Sequence, residues 1–438
     1  MKDFLKKLFW QLPISKELKE KIAEKRFQRI LDKEDIYDAR GGCEIDTDPE
    51  LDAAYIRQVV SGCKKKSPDY RAFQEHEPFD DDMTFAAFYL TQYHPNYFND
   101  TWWGKGITEW NNVNQAVPQY LGHYQPRKPG ELGYYDLRLK EVMQRQIELA
   151  KNYGIGAFCF YYYWFDGTRM LEAPLNLFLA NQDLDMPFFY CWANENWTKK
   201  FTGNDYGVLI GVTQTKENYI RFIDAVLPDM LDSRYFTIDG KPVLSVYRAD
   251  LLPQIDEVLT LWRQKAWKTI GKELYIIGVQ SADPSVDLVG KGFDAESEFQ
   301  PKQVMNIAPK REDIRFIRKD FGGKVYDYKA LVEQRIYKQN YDLDRKVYPA
   351  AAPMWDNTPR RDFRGMIFDG STPALYKQWL KDATVFAREN KNIKNLVFLN
   401  AWNEWGEGAY LEPDEYFGYA YLEATAEARL EAAEEAAR

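Results

Sequence analysis

The sequence predicts an α/β fold, a (β/α)8 barrel of the TIM type with an N-terminal helical extension. Between about residues 84 and 425, short apolar runs alternate with longer amphipathic runs, which is the pattern of strands joined by helical crossovers. Eight of the short runs have the character of buried strands. Unusual polar and aromatic residues follow most of these strands, as they do on the catalytic face of a barrel. A doubly wound sheet is the alternative, because one of the eight strands is weak.

The predicted strands and helices alternate along the chain. The strands are 85–90, 156–162, 188–192, 242–247, 274–279, 293–295, 350–354 and 396–401, and the strand at 293–295 is the weak one. Helical periodicity fits most of the gaps, for example 137–153, 217–231, 252–269 and 375–390.

We divide the chain into a helical extension with a linker, residues 1–80, and a barrel domain with a C-terminal helix, residues 81–438. A helix is predicted at 51–66, and the last sixteen residues, rich in Ala and Glu, are predicted to form a surface helix. Residues 1–30 carry nine Lys and Arg against four Asp and Glu. Their amphipathic pattern fits either a helix docked on the barrel or peripheral contact with an anionic membrane.

The composition excludes several classes of protein. The 438-residue chain has a net charge of −9, and no basic face dominates its central region, which argues against nucleic-acid binding. Four scattered cysteines and three histidines leave little for a disulfide framework or a metal site, and we predict neither a metal nor a cofactor. No apolar run approaches the ~18 residues of a membrane span, and lysines interrupt the N-terminus where a secretory signal would lie. We expect a cytoplasmic protein, and peripheral contact with the inner membrane face through residues 1–30 stays open.

The stretch from Asn400 to Gly408 is the most informative part of the chain. It reads Asn-Ala-Trp-Asn-Glu-Trp-Gly-Glu-Gly and follows a predicted buried strand. Glu404 and Glu407 flank Gly406, and a glycine lets the chain bend sharply, which would bring both carboxyls into one pocket. Paired carboxylates among aromatic rings are typical of enzymes that make or break glycosidic bonds. We therefore predict Glu404 and Glu407 as the catalytic residues.

Candidates for substrate contact follow the other predicted strands. A long loop rich in Trp and Gly follows the first strand and is typical of a cleft wall. Tryptophans that plug the barrel mouth, and polar side chains that only close loops, are the alternatives. The predicted substrate-binding residues are Tyr93, His94, Trp103, Tyr163, Trp164, Asp166, Trp192, Asn194, Glu195, Trp355, Trp402 and Asn403.

Six sequence blocks together resemble the WbsX-type family of polysaccharide-biosynthesis glycosyltransferases. The resemblance covers roughly residues 84–425, and the blocks occur in order. The barrel and the Glu-Trp-x-Glu motif are also distantly similar to glycoside hydrolase family 99, the endo-α-mannosidases. The blocks are 102–110, 123–126, 133–137, 162–166, 191–198 and 402–408.

The resemblance to family 99 implies roles for the two glutamates. Glu407 would be the general acid/base that protonates the leaving oxygen. Glu404 would deprotonate the sugar 2-hydroxyl, which then attacks C1 and gives an anhydrosugar with overall retention. A direct nucleophilic role for Glu404 is the alternative. In either case one carboxyl must be protonated near pH 7 while the other is ionised.

Three functions are compatible with the sequence. The first is retaining glycoside hydrolase-type chemistry in surface polysaccharide or O-antigen (lipopolysaccharide) metabolism, which the carboxylate pair favours. The second is a glycosyltransferase of polysaccharide biosynthesis, which the WbsX-type resemblance favours. The third is a non-catalytic carbohydrate-binding barrel. The expected partner is an oligosaccharide or polysaccharide, either free or lipid-linked.

Overall fold

The computed structural model describes residues 48–62, 65–198, 208–252, 254–283 and 285–436. The basic segment 1–30 lies outside these residues. Within them, no helix combines the length and apolarity that are needed to cross a bilayer.

The core is a parallel sheet whose strands follow one another in chain order, as predicted for a (β/α)8 barrel. The strands are β1 (Thr84–Tyr89), β2 (Ala157–Phe165), β3 (Phe188–Trp192), β4 (Lys241–Val246), β5 (Tyr275–Val279), β6 (Ala295–Ser297), β7 (the two segments Val347–Tyr348 and Ala350–Ala351) and β8 (Leu396–Leu399). From β8 the hydrogen-bonded order runs through β1, β2, β3, β4 and β5 to β6.

Strand β7 closes the barrel between β6 and β8. Its first segment pairs with β6 in the register Glu296↔Val347, and its second pairs with β8 in the register Ala350↔Phe398. Pro349 separates the two segments because it has no N–H to donate, but its carbonyl accepts the N–H of Phe398 at 2.9 Å. The sheet therefore has the closed topology of a TIM-type barrel and is not doubly wound.

Helices and short accessory elements connect the strands. The helices are Pro49–Gly62, Tyr97–Trp102, Glu109–Gln115, Lys140–Asn152, Ala173–Ala180, Lys216–Val226, Ile255–Ile270, Tyr328–Glu333, Thr358–Arg361, Pro373–Glu389 and Ala420–Ala436. The 3-10 turns are Leu227–Leu231, Ala249–Leu251, Val289–Lys291, Ile336–Asn340, Asp362–Arg364 and Trp405–Glu407. The accessory strands are Thr168–Met170, Trp197–Thr198, Val208–Ile210, Thr237–Ile238, Lys324–Asp327, Trp355–Asp356, Met366–Asp369, Asn403–Glu404 and Ala409–Tyr410.

The crossover helix Lys216–Val226 shows how local sequence and packing agree. Thr215 caps its N-terminus by accepting the N–H of Asn218, as is typical of an N-cap threonine. Its apolar side includes Phe222, which is fully buried and stacks on Trp192 of β3 with a centroid separation of 3.8 Å. Burying a ring of this size stabilises the fold by about 1.5–3 kcal/mol.

Aromatic rings fill the barrel interior below its C-terminal end. Phe88 of β1 lies at the centre, with ring centroids 5.6 Å from Tyr161, 5.3 Å from Phe299 and 5.5 Å from Phe398. Edge and offset contacts at these separations are favourable for aromatic pairs. They form a packed floor, so that a pocket can open only above it.

The C-terminal helix Ala420–Ala436 is not the surface helix that its Ala and Glu content suggested. It packs along Pro373–Glu389, and within the last sixteen residues Ala424, Ala426 and Ala428 are buried. The alanine content did not predict burial because alanine occurs both on exposed helix surfaces and in close helix–helix contacts.

Contacts tie the described part of residues 1–80 to the barrel. Gln58 of helix Pro49–Gly62 accepts the N–H of Gly122 at 2.8 Å and donates to the carbonyl of His123 at 3.2 Å. Further along, the N–H of Ser67 donates to the carbonyl of Tyr416 at 2.8 Å. The division of the chain at residue 80 stays a prediction.

Candidate active site

A pocket of about 310 Å³ opens at the C-terminal ends of the barrel strands. Its wall comes from the C-terminal part of β2 and from the segments that follow β1, β3, β4, β6, β7 and β8, at the end where TIM-barrel enzymes carry their active sites. The lining residues are Leu90, Gln92, Tyr161, Tyr163, Ala193, Glu195, Asn196, Trp197, Thr198, Tyr247, Phe299, Lys302, Met305, Trp355, Asn357, Arg360, Arg361, Met366, Glu404 and Glu407.

Glu404 and Glu407 both line this pocket. After β8 the chain forms a small hairpin in which Asn403–Glu404 pairs with Ala409–Tyr410, and the turn Trp405–Glu407 lies between them. The side chain of Glu404 is 7% exposed and that of Glu407 is 26% exposed. One carboxylate therefore lies deep in the wall, while the other reaches further into solvent.

Arg360 joins three carboxylates at this site. Its Nη2 donates to Glu404 Oε1 at 2.5 Å, its Nη1 lies 3.0 Å from Glu407 Oε1, and its Nε donates to Glu109 Oε1 at 2.7 Å. The planar guanidinium suits such an arrangement because its donors point in fixed, different directions. Neither Arg360 nor Glu109 was predicted as a site residue.

A buried network after β7 holds the segment that carries Arg360. Asp356 is fully buried and accepts from His123 Nε2 at 2.7 Å, from Gln125 at 2.6 Å and from the Thr358 hydroxyl at 2.7 Å. His123 Nδ1 accepts the N–H of Gln119, so its other nitrogen carries the proton that it donates. Although burial opposes ionisation, His123 and the neighbouring guanidinium of Arg127 hold the pKa of Asp356 well below its usual range.

Burial dominates the protonation of Glu404. It raises the pKa of this carboxyl to about 8, and the nearby charges of Glu407 and Glu109 add to the shift. The ion pair with Arg360 opposes it. Burial alone would lower the pKa of Arg360, but the three carboxylates outweigh burial and keep it well above its usual value. The site therefore pairs a permanent cation with a carboxyl that titrates near neutral pH.

Two buried groups support the hairpin from behind. The Tyr93 hydroxyl accepts the N–H of Trp405 at 3.0 Å. Glu412 accepts from the Trp405 indole at 2.6 Å and from the Tyr135 hydroxyl at 2.8 Å, and burial raises its pKa to about 7. These contacts fix the residue between the two glutamates.

Aromatic side chains form much of the remaining wall. The rings of Tyr163 and Trp197 meet edge to face at 5.2 Å. Trp355 is 5% exposed, and among the described residues nothing accepts its indole N–H. A wall of rings with a few directed polar groups is typical of a small-molecule binding site.

The pocket brings together part of the predicted set. Tyr163, Glu195, Trp355, Glu404 and Glu407 line it. The other predicted residues lie outside its lining: Tyr93, His94, Trp103, Trp164, Asp166, Trp192, Asn194, Trp402 and Asn403.

Several of these outlying residues have clear structural contacts. Trp164 and Trp192 pack against Phe222 on the helix side of the barrel. Asp166 accepts the N–H of Thr213 at 2.8 Å, and Asn194 exchanges hydrogen bonds with the backbone of Arg248. These are the loop-closing contacts that the sequence left open as the alternative.

The remaining outlying residues are buried or half-buried. The side chain of Asn403 accepts the N–H of Leu90 at 2.7 Å and donates to its carbonyl at 3.0 Å. Trp402 is fully buried and packs against Phe158 at 5.4 Å. His94 is buried, and Trp103 is half-buried after helix Tyr97–Trp102.

Sequence signals for the missed residues are weak. Thr358 and Pro359 mark a helix start just after β7, which places Arg360 at the correct end of the barrel. Glu109 follows Thr108, a helix N-cap, but an acidic residue there is common for helix stability alone. No group of three or more His, Cys, Asp or Glu side chains suited to a metal ion occurs within the described part of the chain.

Comparison with known proteins gives the family and the fold. Residues 85–425 match the family described as Glycosyltransferase WbsX, as the sequence blocks predicted. Uncharacterized protein WxcX of Xanthomonas campestris pv. campestris (strain B100) is 41% identical over 350 residues, which are 79% of this chain and 49% of that protein. The chain thus spans about half the length of this curated relative.

Two solved structures share the barrel. A glycoside hydrolase-like protein has a TM-score of 0.51 and 16% identity, over 82% of this chain and 96% of its own. The GH99 endo-alpha-mannosidase from Bacteroides thetaiotaomicron, in complex with BIS-TRIS-propane, has a TM-score of 0.51 and 13% identity, over 82% of this chain and 100% of its own. These similarities establish the fold, and the sequence match establishes the family: the chain belongs to the WbsX glycosyltransferase family.

Proposed function

We propose that this protein acts on glycosidic bonds in surface polysaccharide or O-antigen metabolism, and that Glu404 and Glu407 carry the chemistry. The main support is that both carboxylates line one pocket and bond to the same guanidinium. Membership of a family of carbohydrate-active enzymes supports the same class of reaction.

In the favoured mechanism the two glutamates divide the proton transfers. Glu404 takes the proton of the sugar 2-hydroxyl, and O2 attacks C1 while the bond from C1 to the leaving oxygen breaks. Glu407 gives its proton to that oxygen. Water then attacks C1 of the anhydrosugar and loses a proton to Glu407, while O2 takes its proton back from Glu404. Two displacements at C1 retain the configuration.

The electrostatics of Glu404 set the fraction of molecules in which it can act as the base. A base is most effective when its pKa lies near the working pH, because it then combines proton affinity with a sufficient ionised fraction. The raised pKa of Glu404, about 8, gives its ionised form a high affinity for the proton of a weakly acidic hydroxyl, but most of this carboxyl is protonated at pH 7, so the mechanism uses the minority of molecules in which Glu404 is ionised. A direct attack of Glu404 on C1 is the alternative, and it would leave a covalent glycosyl-enzyme. Mass spectrometry of enzyme quenched during turnover separates the two, because only the direct attack adds a sugar to the protein.

The aromatic wall supports an oligosaccharide or polysaccharide as substrate, either free or lipid-linked. The C–H faces of sugar rings stack on aromatic side chains such as Tyr163, Trp197 and Trp355, while Glu195 offers an acceptor for hydroxyl groups. The endo-alpha-mannosidase with the same fold suggests mannan-type oligosaccharides as the first substrates to test.

A glycosyltransferase is the second candidate, and the description of the matching family favours it. The purified protein is offered mannan-type oligosaccharides and, separately, nucleotide sugars with a lipid-linked acceptor. Release of reducing ends from the oligosaccharides alone supports hydrolase-type chemistry. Nucleotide release that requires the acceptor supports the transferase and would overturn the hydrolase assignment.

Membrane contact through residues 1–30 is a separate proposal, supported only by the basic, amphipathic sequence of that segment. Deletion of residues 1–30 should reduce co-sedimentation with anionic liposomes. Equal co-sedimentation of the two proteins would contradict it.

A further inference from the structure

We propose that Glu109 is a positioning residue, which acts through Arg360 to set how protons are shared between Glu404 and Glu407. This inference rests on the proposed function, because it assigns a partner to the two carboxylates that carry the chemistry.

Glu109 is placed to act on the site without touching a substrate. It is fully buried and does not line the pocket, whereas Arg360, Glu404 and Glu407 do. Its Oε1 accepts Arg360 Nε at 2.7 Å. Arg360 thus uses its inner nitrogen on Glu109 and its two outer nitrogens on the pocket carboxylates. Any effect of Glu109 on chemistry must pass through the guanidinium or through its charge.

Gly406 shows how closely Glu109 approaches the catalytic hairpin. A methyl group at position 406 would overlap Glu109 Oε1 and would lie 2.8 Å from Arg360 Nε. The backbone of Gly406 has no positive φ, so the glycine is needed here for space. The missing side chain lets a third carboxylate lie directly behind the peptide that joins Glu404 to Glu407.

The charges in direct contact with Arg360 are unbalanced, although Lys302 and Arg361 also line the pocket. Three carboxylates share one guanidinium, which leaves two net negative charges if all are ionised. Crowded like charges in a buried site favour retention of a proton on one of them. The groups that face Glu404 are Arg360, Glu407 and Glu109, together with the hydroxyls of Tyr93, Tyr161 and Tyr163.

This arrangement predicts opposite effects for the two partners. Neutralising Glu109 removes a like charge, so Glu404 should release its proton at lower pH. Neutralising Arg360 removes the cation that is bonded to Glu404, so Glu404 should hold its proton to higher pH. Loss of an ion pair that has no influence on Glu404 would leave its titration unchanged.

The test is a carboxyl titration by NMR of protein labelled with 13C at the glutamate side-chain carboxyl. Glu404→Gln identifies the Glu404 signal by its disappearance. Glu109→Gln should lower the titration midpoint of Glu404, and Arg360→Gln should raise it, each by roughly one pH unit or more. If thermal unfolding shows that Arg360→Gln does not fold, Arg360→Lys should give a smaller rise.

The matched control is Glu296→Gln. Glu296 is also buried and bonded to an arginine, Arg345 at 2.6 Å, but it does not line the pocket. Its substitution should leave the midpoint of Glu404 unchanged. Shifts of the same sign in Glu109→Gln and Arg360→Gln, or an unmoved midpoint in Glu109→Gln, would overturn the inference. The titration needs no substrate, so it is independent of the proposed function, which fails if Glu404→Gln and Glu407→Gln keep full turnover.

Discussion

The two ends of the barrel each hold a cluster of ion pairs around one residue, with the charges reversed. At the C-terminal end, Arg360 contacts three carboxylates. At the N-terminal end, just before β1, Asp81 contacts two guanidiniums: Arg388 Nη2 donates to it at 2.6 Å and Arg429 Nε at 2.8 Å. Arginine–carboxylate ion pairs therefore occur at both ends, but the balance of charge differs between them.

At the N-terminal end the charges are well matched. Besides Asp81, Arg429 also donates to the carbonyls of Gly154 at 2.5 Å and Met83 at 2.6 Å, while Arg388 reaches Asp82 at 3.3 Å. The cluster links the helices Pro373–Glu389 and Ala420–Ala436 to the start of the barrel. Because its charges nearly cancel, we expect it to contribute stability and no proton chemistry.

Around Arg360, at the C-terminal end, three carboxylates contact one cation, and a pocket opens beside them. The surplus of negative charge leaves a proton whose position depends on small changes nearby. A substrate that enters the pocket can supply such a change. The sign of the surplus and access to solvent, more than the presence of an ion cluster, therefore distinguish the proposed active site from the cluster at the other end.

The largest expected effect is on turnover in Glu407→Gln. The amide cannot exchange protons, so turnover should fall by about 10²–10⁴-fold. Because the side chain is partly exposed, the free energy of unfolding should change by less than about 1 kcal/mol. Steady-state kinetics and urea unfolding measure the two quantities. Glu415→Gln, an exposed change in the same segment, is the control. Unchanged turnover in Glu407→Gln would remove Glu407 from the chemistry, whereas sugar binding without any turnover by the wild type would favour a non-catalytic carbohydrate-binding barrel.

Asp81→Asn should have its main effect on stability. It leaves the two guanidiniums without their shared anion. Breaking a fully buried pair costs about 3–5 kcal/mol, and because the Asp81 side chain is 19% exposed, we expect a loss at or below the lower end of this range. Turnover per folded molecule should not change, because Asp81 lies at the end of the barrel opposite the pocket. Asp82→Asn is the matched control: its side chain is 74% exposed, and its loss should cost less than about 1 kcal/mol. Equal losses in both variants would contradict the view that Asp81 organises the cluster.

The barrel strands were predictable because each is a local apolar run. The residues at which the strands begin and end were less predictable. Strand β7 was predicted at 350–354, but it occupies 347–351, because pairing with β6 and β8 selected the residues on both sides of Pro349. The alternation of side chains between the two faces of a strand also decided which residues reach the pocket. Tyr163 lines the pocket while its neighbour Trp164 packs on the helix side, and both had the same composition signal.

The meeting of Glu404 and Glu407 in one pocket was predictable because the two residues form a local motif, whereas their charged partners were not predictable. Arg360 is 251 residues from Glu109 and 44 from Glu404 in sequence, so only the closed barrel brings them together. Side chains with no unusual local context, such as Glu109, give no signal until the fold is known.

Glu298 is a buried acid outside both ion-pair clusters, and its raised pKa predicts how stability depends on pH. Glu298 accepts the N–H of Ala350 at 2.9 Å, and burial raises its pKa to about 7. The unfolded chain releases this proton near pH 4.5 while the folded chain keeps it, so this carboxyl lowers stability as pH rises from 4.5 to about 7. Urea unfolding should show that Glu298→Gln loses on the order of 2–3 kcal/mol less than wild type across this interval. Parallel pH profiles for the two proteins would contradict the raised pKa.

The smallest expected effect concerns the support behind the active-site hairpin. Tyr93→Phe removes the hydroxyl that accepts the N–H of Trp405 and leaves that buried donor unsatisfied, which costs about 1–3 kcal/mol. Turnover should fall only several-fold, far less than the ~10²-fold loss of an acid–base group, because Arg360 still fixes both carboxylates. Tyr163→Phe, whose hydroxyl accepts from Gln92 on the pocket wall, should instead raise KM with little loss of stability. If Tyr93→Phe lost as much turnover as Glu407→Gln with unchanged stability, its hydroxyl would take part in the chemistry, and the charge surplus around Arg360 would no longer account for the site by itself.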